Sequence, residues 1–171
     1  RFISTGDANP LVEQLDETIR NYKRKICRAD TEADGLKRIG KGLDEFAKAI
    51  YAVRGNEIMN YGIYLKEALE GIKSVNINEL KPFGAILDKV SEKVDIYSGN
   101  LIKDIHSTAK LCNHLNLIQQ GYTFLQENII NFICINANVD LINEVERIKI
   151  GKAIAAKHKY FIGKSNFEPV K

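Results

Sequence analysis

The stretch Gly35-Leu36-Lys37-Arg38-Ile39-Gly40-Lys41-Gly42 comes nearest to a spacing that does chemistry. G-x4-G-K is the frame of a phosphate-binding loop, in which glycine N–H groups cradle phosphate oxygens and the lysine neutralises them. Here Gly42 stands where a Ser or Thr would hold magnesium, and no strand is expected ahead of the loop. The pattern therefore predicts no nucleotide site. Gly163-Lys164-Ser165 has the opposite defect, since no glycine stands five residues before Gly163. His106, Cys112 and His114 could suggest a metal, but the two histidines are two helical turns apart and no second ligand pair follows. His158 sits among lysines and reads as solvated. Carboxylates pair at Asp44-Glu45 and Glu144/Glu146, yet no Glu-x-x-His of a di-iron bundle occurs. Nothing combines a nucleophile, a base and an orienting group. The expectation is a non-catalytic protein with no catalytic residue, metal, cofactor or small-molecule substrate.

The better lead is charge. Arg20, Lys23, Arg24, Lys25 and Arg28 form a cluster in which Arg20, Lys23 and Arg24 share one helical face, as do Arg24 and Arg28. Leu15, Ile19, Tyr22 and Ile26 take the opposite side. Lys37, Arg38 and Lys41 add a second cluster, about 25 Å farther along a continuous helix. Such a row suits an anionic membrane surface at about 1 kcal/mol per well-placed Lys or Arg, or an acidic protein. No nucleic-acid docking motif or interleaved aromatic accompanies it. A plain solvated face is the competing interpretation.

The elements that must carry these residues read as helices throughout. Asn9-Pro10 is a helix start, Asn as cap and Pro in the first turn. Leu11, Leu15, Ile19, Tyr22 and Ile26 follow at spacings of four, four, three and four, a narrow seam of coiled-coil type. Leu36, Ile39, Leu43, Phe46, Ile50 and Val53 resume it after a polar Arg28–Asp34 stretch. No proline or Asn-Gly marks that junction, so the pattern predicts one helix from about 10 to 54, on the order of 65 Å long. Gly35, Gly40 and Gly42 within it would mark a bend or a close helix contact. Arg54-Gly55-Asn56 is the first credible turn and Ser98-Gly99-Asn100 a second candidate. Pro82 either starts a helix or kinks one, and Gly121 is a soft point. Residues 122–135, apolar on several sides, are expected to be the most buried helix. Leu141, Val145, Ile148, Ala155 and Tyr160 complete a last one, with a tail from residue 163. Period-two alternation bounded by hairpin turns is missing.

Composition agrees with this. Of 171 residues 44% are apolar and 27% charged, a globular balance. Only Pro10, Pro82 and Pro169 break helices. Residues 20–54 carry ten Lys/Arg against five Asp/Glu, and residues 143–171 carry seven against three. Two basic segments thus flank an acidic middle, and side by side they would make one positive face. Cys27, Cys112 and Cys134 are odd in number and widely spaced, and each lies among apolar residues. They read as small buried hydrophobes in a reducing compartment. Arg1-Phe2-Ile3-Ser4-Thr5-Gly6 does not read as a signal peptide. No run nears the roughly 18 apolar residues that span a bilayer. A cytoplasmic protein, peripheral at membranes, is expected.

The stretch GLKRIGKGLDEFAKAI, Gly35 to Ile50, resembles the second half of the first helix of BAR domains, and VNINELKPFGAILD, Val75 to Asp88, looks like their second-helix kink. Among that superfamily the chain is most similar to the Chibby-interacting BAR-domain proteins. The likeness covers about half the chain, which is short through the region that would form the arm tips. The resemblance implies an antiparallel coiled-coil homodimer whose basic face, here Arg20, Lys23, Arg24, Arg28, Lys37, Arg38 and Lys41, meets a curved anionic membrane. The committed expectation is all-α: long amphipathic helices in an antiparallel coiled-coil-like bundle over 10–162, between an extended segment 1–9 and a tail 163–171, elongated as a BAR-like dimer. The rival is a compact helical adaptor or effector domain that grips a protein partner through an apolar groove, and its signature would be exposed apolar residues among 129–135.

Overall fold

The computed structural model describes residues 6–26, 31–73 and 84–164. Among them the chain is all-α: α1 (Asn9–Ile26), α2 (Thr31–Tyr51), α3 (Gly55–Lys73), α4 (Gly84–Val94), α5 (Leu101–His114), α6 (Ile118–Asn136) and α7 (Glu144–Lys164). The stretch expected to form one helix from 10 to 54 is instead two, and α1 packs on α2. Each buries its own apolar seam, Leu11, Leu15 and Ile19 on α1 and Leu36, Ile39, Leu43, Phe46 and Ile50 on α2. Folding one seam against the other removes apolar surface from water that a straight rod would leave exposed. Pro82 and most of the Val75–Asp88 stretch lie outside the described residues, as does Cys27. The tail begins later than expected, since α7 reaches Lys164.

Where one bundle over 10–162 is expected, the chain clusters into two compact units, Arg1–Leu125 and Gln126–Lys171, the division falling within α6. In the first unit α3 is central and packs on α2, α4 and α5. Close approach explains its glycines. A Cβ on Gly42 would sit 3.2 Å from Leu65 Cδ1, and one on Gly62 would sit 2.6 Å from ring carbons of Tyr97. Gly121 is no break either: it lies buried inside α6, where a Cβ would come 3.3 Å from that of Cys112 on α5.

Tyr97 organises the centre of this unit. Its ring meets Phe46 edge-on, centroids 5.5 Å apart. Its hydroxyl lies 2.7 Å from Thr108 Oγ1. Because the Thr108 hydroxyl proton goes to the Asp104 carbonyl at 2.8 Å, the Tyr97 O–H is the donor. Burial raises the Tyr97 phenol above its ordinary value and pushes the Cys112 thiol up to about 11. The Ser98-Gly99-Asn100 break is where the sequence places it. The buried Asp104 carboxylate accepts from the Ser98 N–H, the Ser98 hydroxyl and the Gly99 N–H at 2.8–3.1 Å, and Asn100 caps α5 through the Lys103 N–H. Gly99, at φ +81°, suits that corner.

The second unit contains the end of α6 and α7. After α6, Asn138 takes a left-handed φ of 54° and the Val139 N–H reaches back to the Cys134 carbonyl at 2.8 Å. Asn143 Oδ1 then accepts from the Glu146 N–H at the head of α7. Arg147 ties the two helices. It donates to Glu127 Oε2 at 2.6 Å and to Asn131 Oδ1. Among the described residues no helix is long and apolar enough to cross a membrane.

Candidate functional site

The basic residues divide between two packed helices. Arg20, Lys23 and Arg24 are exposed on α1, and Lys37, Arg38 and Lys41 are exposed on α2; Arg28 lies outside the described residues. The 25 Å separation expected from a continuous helix does not hold, because packing α1 on α2 brings Lys23 beside Lys37. The neighbouring Lys37 lowers the Lys23 ammonium from its usual value, and Asp34 partly opposes this. Arg38 lies over the Tyr64 ring, 5.5 Å from its centroid. The second basic segment, 143–171, falls in the other unit.

The other chemical candidates do not assemble. The Gly35–Gly42 stretch is the interior of α2, where N–H groups bond along the helix, and so forms no phosphate loop. His106 is exposed, Cys112 is buried, and His114 Nδ1 lies 2.8 Å from the Lys110 carbonyl oxygen. Among the described residues no group of three His, Cys, Asp or Glu side chains could hold a metal. Asp44 pairs with Lys48 at 2.6 Å and Glu146 with Lys149 at 2.7 Å, ordinary helix-surface pairs.

The feature that stands out was expected to be a core. Residues 122–135 are not the most buried helix. Tyr122, Leu125, Ile129, Phe132 and Ile135 all point outward, Tyr122 at 72% exposure. In the second unit the apolar residues are mostly on the surface. Ile129, Phe132 and Ile135 on α6, Ile142 in the connection, and Val145 and Ile148 on α7 are each between 46% and 85% exposed. Against them the unit buries Ile130, Cys134 and the polar Asn131. Ile130 packs by the backbone of Gly151, where an added Cβ would lie 3.7 Å from it. Beside Arg147 is a depression of about 430 Å3 whose walls include Ile130, Ile148 and Gly151.

Large apolar side chains gathered this densely on a surface mark interaction sites in soluble proteins. Nearby charge is largely tied up within the chain, Glu127 by Arg147 and Glu146 by Lys149. The arrangement can bind an apolar surface, and no group in it performs a reaction. In the sequence the signal was the apolar spacing itself: Ile129 and Phe132 are three apart on one side of α6, while Ile130 and Cys134 are four apart on another. An apolar helix with two such stripes can be either fully enclosed or covered on one side only.

Comparison with protein-family models, with curated proteins and with solved structures finds no match for this chain.

Proposed function

We propose that this chain is a non-catalytic interaction protein in which the Arg1–Leu125 unit is a self-supporting helical scaffold and the Gln126–Lys171 unit offers an apolar helical surface to a protein partner. The observation that carries this is the outward placement of Ile129, Phe132, Ile135, Ile142, Val145 and Ile148 in a unit that buries little else. Covering a large apolar side chain is worth about 1.5–3 kcal/mol, so a partner that encloses several of them gains enough to bind. The test is photo-crosslinking in cells from a benzophenone amino acid at position 132, with position 88 on the polar side of α4 as control. A protein caught at 132 and not at 88 is then purified and its affinity measured directly. Loss of that affinity in Ile129→Lys/Phe132→Lys supports the reading, and crosslinks equal at the two positions sink it.

A second reading, a basic BAR-like surface on an anionic membrane, draws its support from the convergence of Lys23 and Lys37. Two like charges held together on a surface favour an anion that bridges them. Sedimentation with phosphatidylserine vesicles over a salt series tests it. Binding that weakens with salt and is lost in Lys23→Ala/Lys37→Ala supports it; binding indifferent to both substitutions removes it.

A further inference from the structure

We infer that the occupant of the apolar surface on the Gln126–Lys171 unit is a second copy of this chain. The inference rests on the interaction reading above and adds the partner. Three observations carry it. The first is charge. From Gln126 to Asn136, α6 carries one charged residue, Glu127, and Arg147 neutralises it within the same chain. A face of this kind can meet its own copy across a two-fold axis without like-charge repulsion, which is the condition a self-complementary surface must satisfy. It offers no charge pattern that would select an acidic or basic partner over itself.

The second observation is area. Six large apolar side chains, each about half exposed or more, offer on the order of 100 Å2 apiece. That is about 600 Å2 per copy and roughly 1,200 Å2 for a pair, the lower bound for a specific protein interface. The third is the shape of the apolar set. It is spread over two helices and their connection, with Phe132 on α6 and Val145 and Ile148 on α7. Two helices from each copy would then pair as a four-helix arrangement, which buries faces that a two-helix unit alone leaves wet.

The experiment is mass measurement by analytical ultracentrifugation of the full chain from roughly 1 to 200 µM, the range in which an interface of minimal size dissociates. The wild type is expected to rise from 19.3 kDa toward twice that mass. Ile129→Lys/Phe132→Lys is expected to raise the dissociation constant roughly a hundredfold, the scale of losing central apolar anchors. Ile142→Lys guards against a folding artefact, because Ile142 is 85% exposed and supports no core; it is expected to weaken the dimer roughly tenfold. Ile96→Lys, also exposed but in the other unit, is expected to dimerise like the wild type. A wild type that stays monomeric at every concentration overturns the inference, as does a dimer that ignores both the position 129/132 and the position 142 substitutions. In the monomeric case the crosslink at position 132 separates the two failures. If it captures another protein there, the surface reading stands with a different occupant; if it captures nothing, both fall.

Discussion

The two units spend their apolar residues in opposite ways. In the first, Phe46, Phe124, Leu15, Leu36, Ile39, Leu43, Ile58 and Leu65 are completely buried, and even the single buried carboxylate, Asp104, is satisfied by hydrogen bonds. In the second, most large apolar side chains face outward and the helices are tied by the polar reach of Arg147. The difference follows from the number of layers. Four helices packed around and beside α3 give every apolar stripe a neighbour, whereas two helices can cover only one stripe each. The first unit is built to persist alone, and the second is built to be completed.

The sharpest way to break this comparison is to make one substitution in both places. Phe46→Ala, in the first unit, should cost about 4 kcal/mol, because it removes a fully buried ring and leaves a cavity beside Tyr97. Phe132→Ala, in the second, should change the stability of the monomer by no more than about 0.5 kcal/mol. Denaturant unfolding of dilute protein measures both, and equal losses would show that Phe132 is a core residue after all. Next in size is Arg147→Ala. It leaves the buried Asn131 carbonyl and the Glu127 carboxylate without the guanidinium, and should loosen the second unit by about 2 kcal/mol. Amide exchange should then quicken between 126 and 157 while protection around Tyr97 stays unchanged. The smallest effect uses matched helix ends. Asn116 and Asn138 both take left-handed backbone, with the following N–H returning to a carbonyl five residues back at 2.8 Å. Asn→Ala at either should cost about 1 kcal/mol. At 116 a large core absorbs it as a small drop in melting temperature; at 138 it should appear as local opening of the α6–α7 connection, followed by exchange.

Much of the first unit was legible in the sequence. Leu36, Ile39, Leu43, Phe46 and Ile50 recur at three and four, and all five are buried as that period implies. The break at Ser98-Gly99-Asn100 was readable from turn chemistry. The division of the 10–54 stretch was not, because nothing local forbids a continuous helix there; the gain comes from two seams meeting in tertiary structure. That same packing decides how far Lys23 stands from Lys37, so the residues of the basic cluster could be named without their separation. Residues 122–135 illustrate the opposite limit. Periodicity reports that a helix side is apolar, but what lies against that side is a property of the whole chain, and here the far stripe of α6 meets none of the described residues closely enough to be buried.

The Tyr97 hydroxyl has a use in the laboratory. The chain has seven tyrosines and no tryptophan, so phenol absorbance is its main intrinsic optical signal. Tyr97 is held neutral by burial, and because its pKa is raised in the folded state, the stability it contributes is full below the ordinary tyrosine value and is lost as pH climbs above it. In alkali the exposed tyrosines therefore ionise first and Tyr97 only as its surroundings open. The last step of a phenolate titration becomes a built-in gauge of the first unit, readable without a label and blind to whatever covers the second.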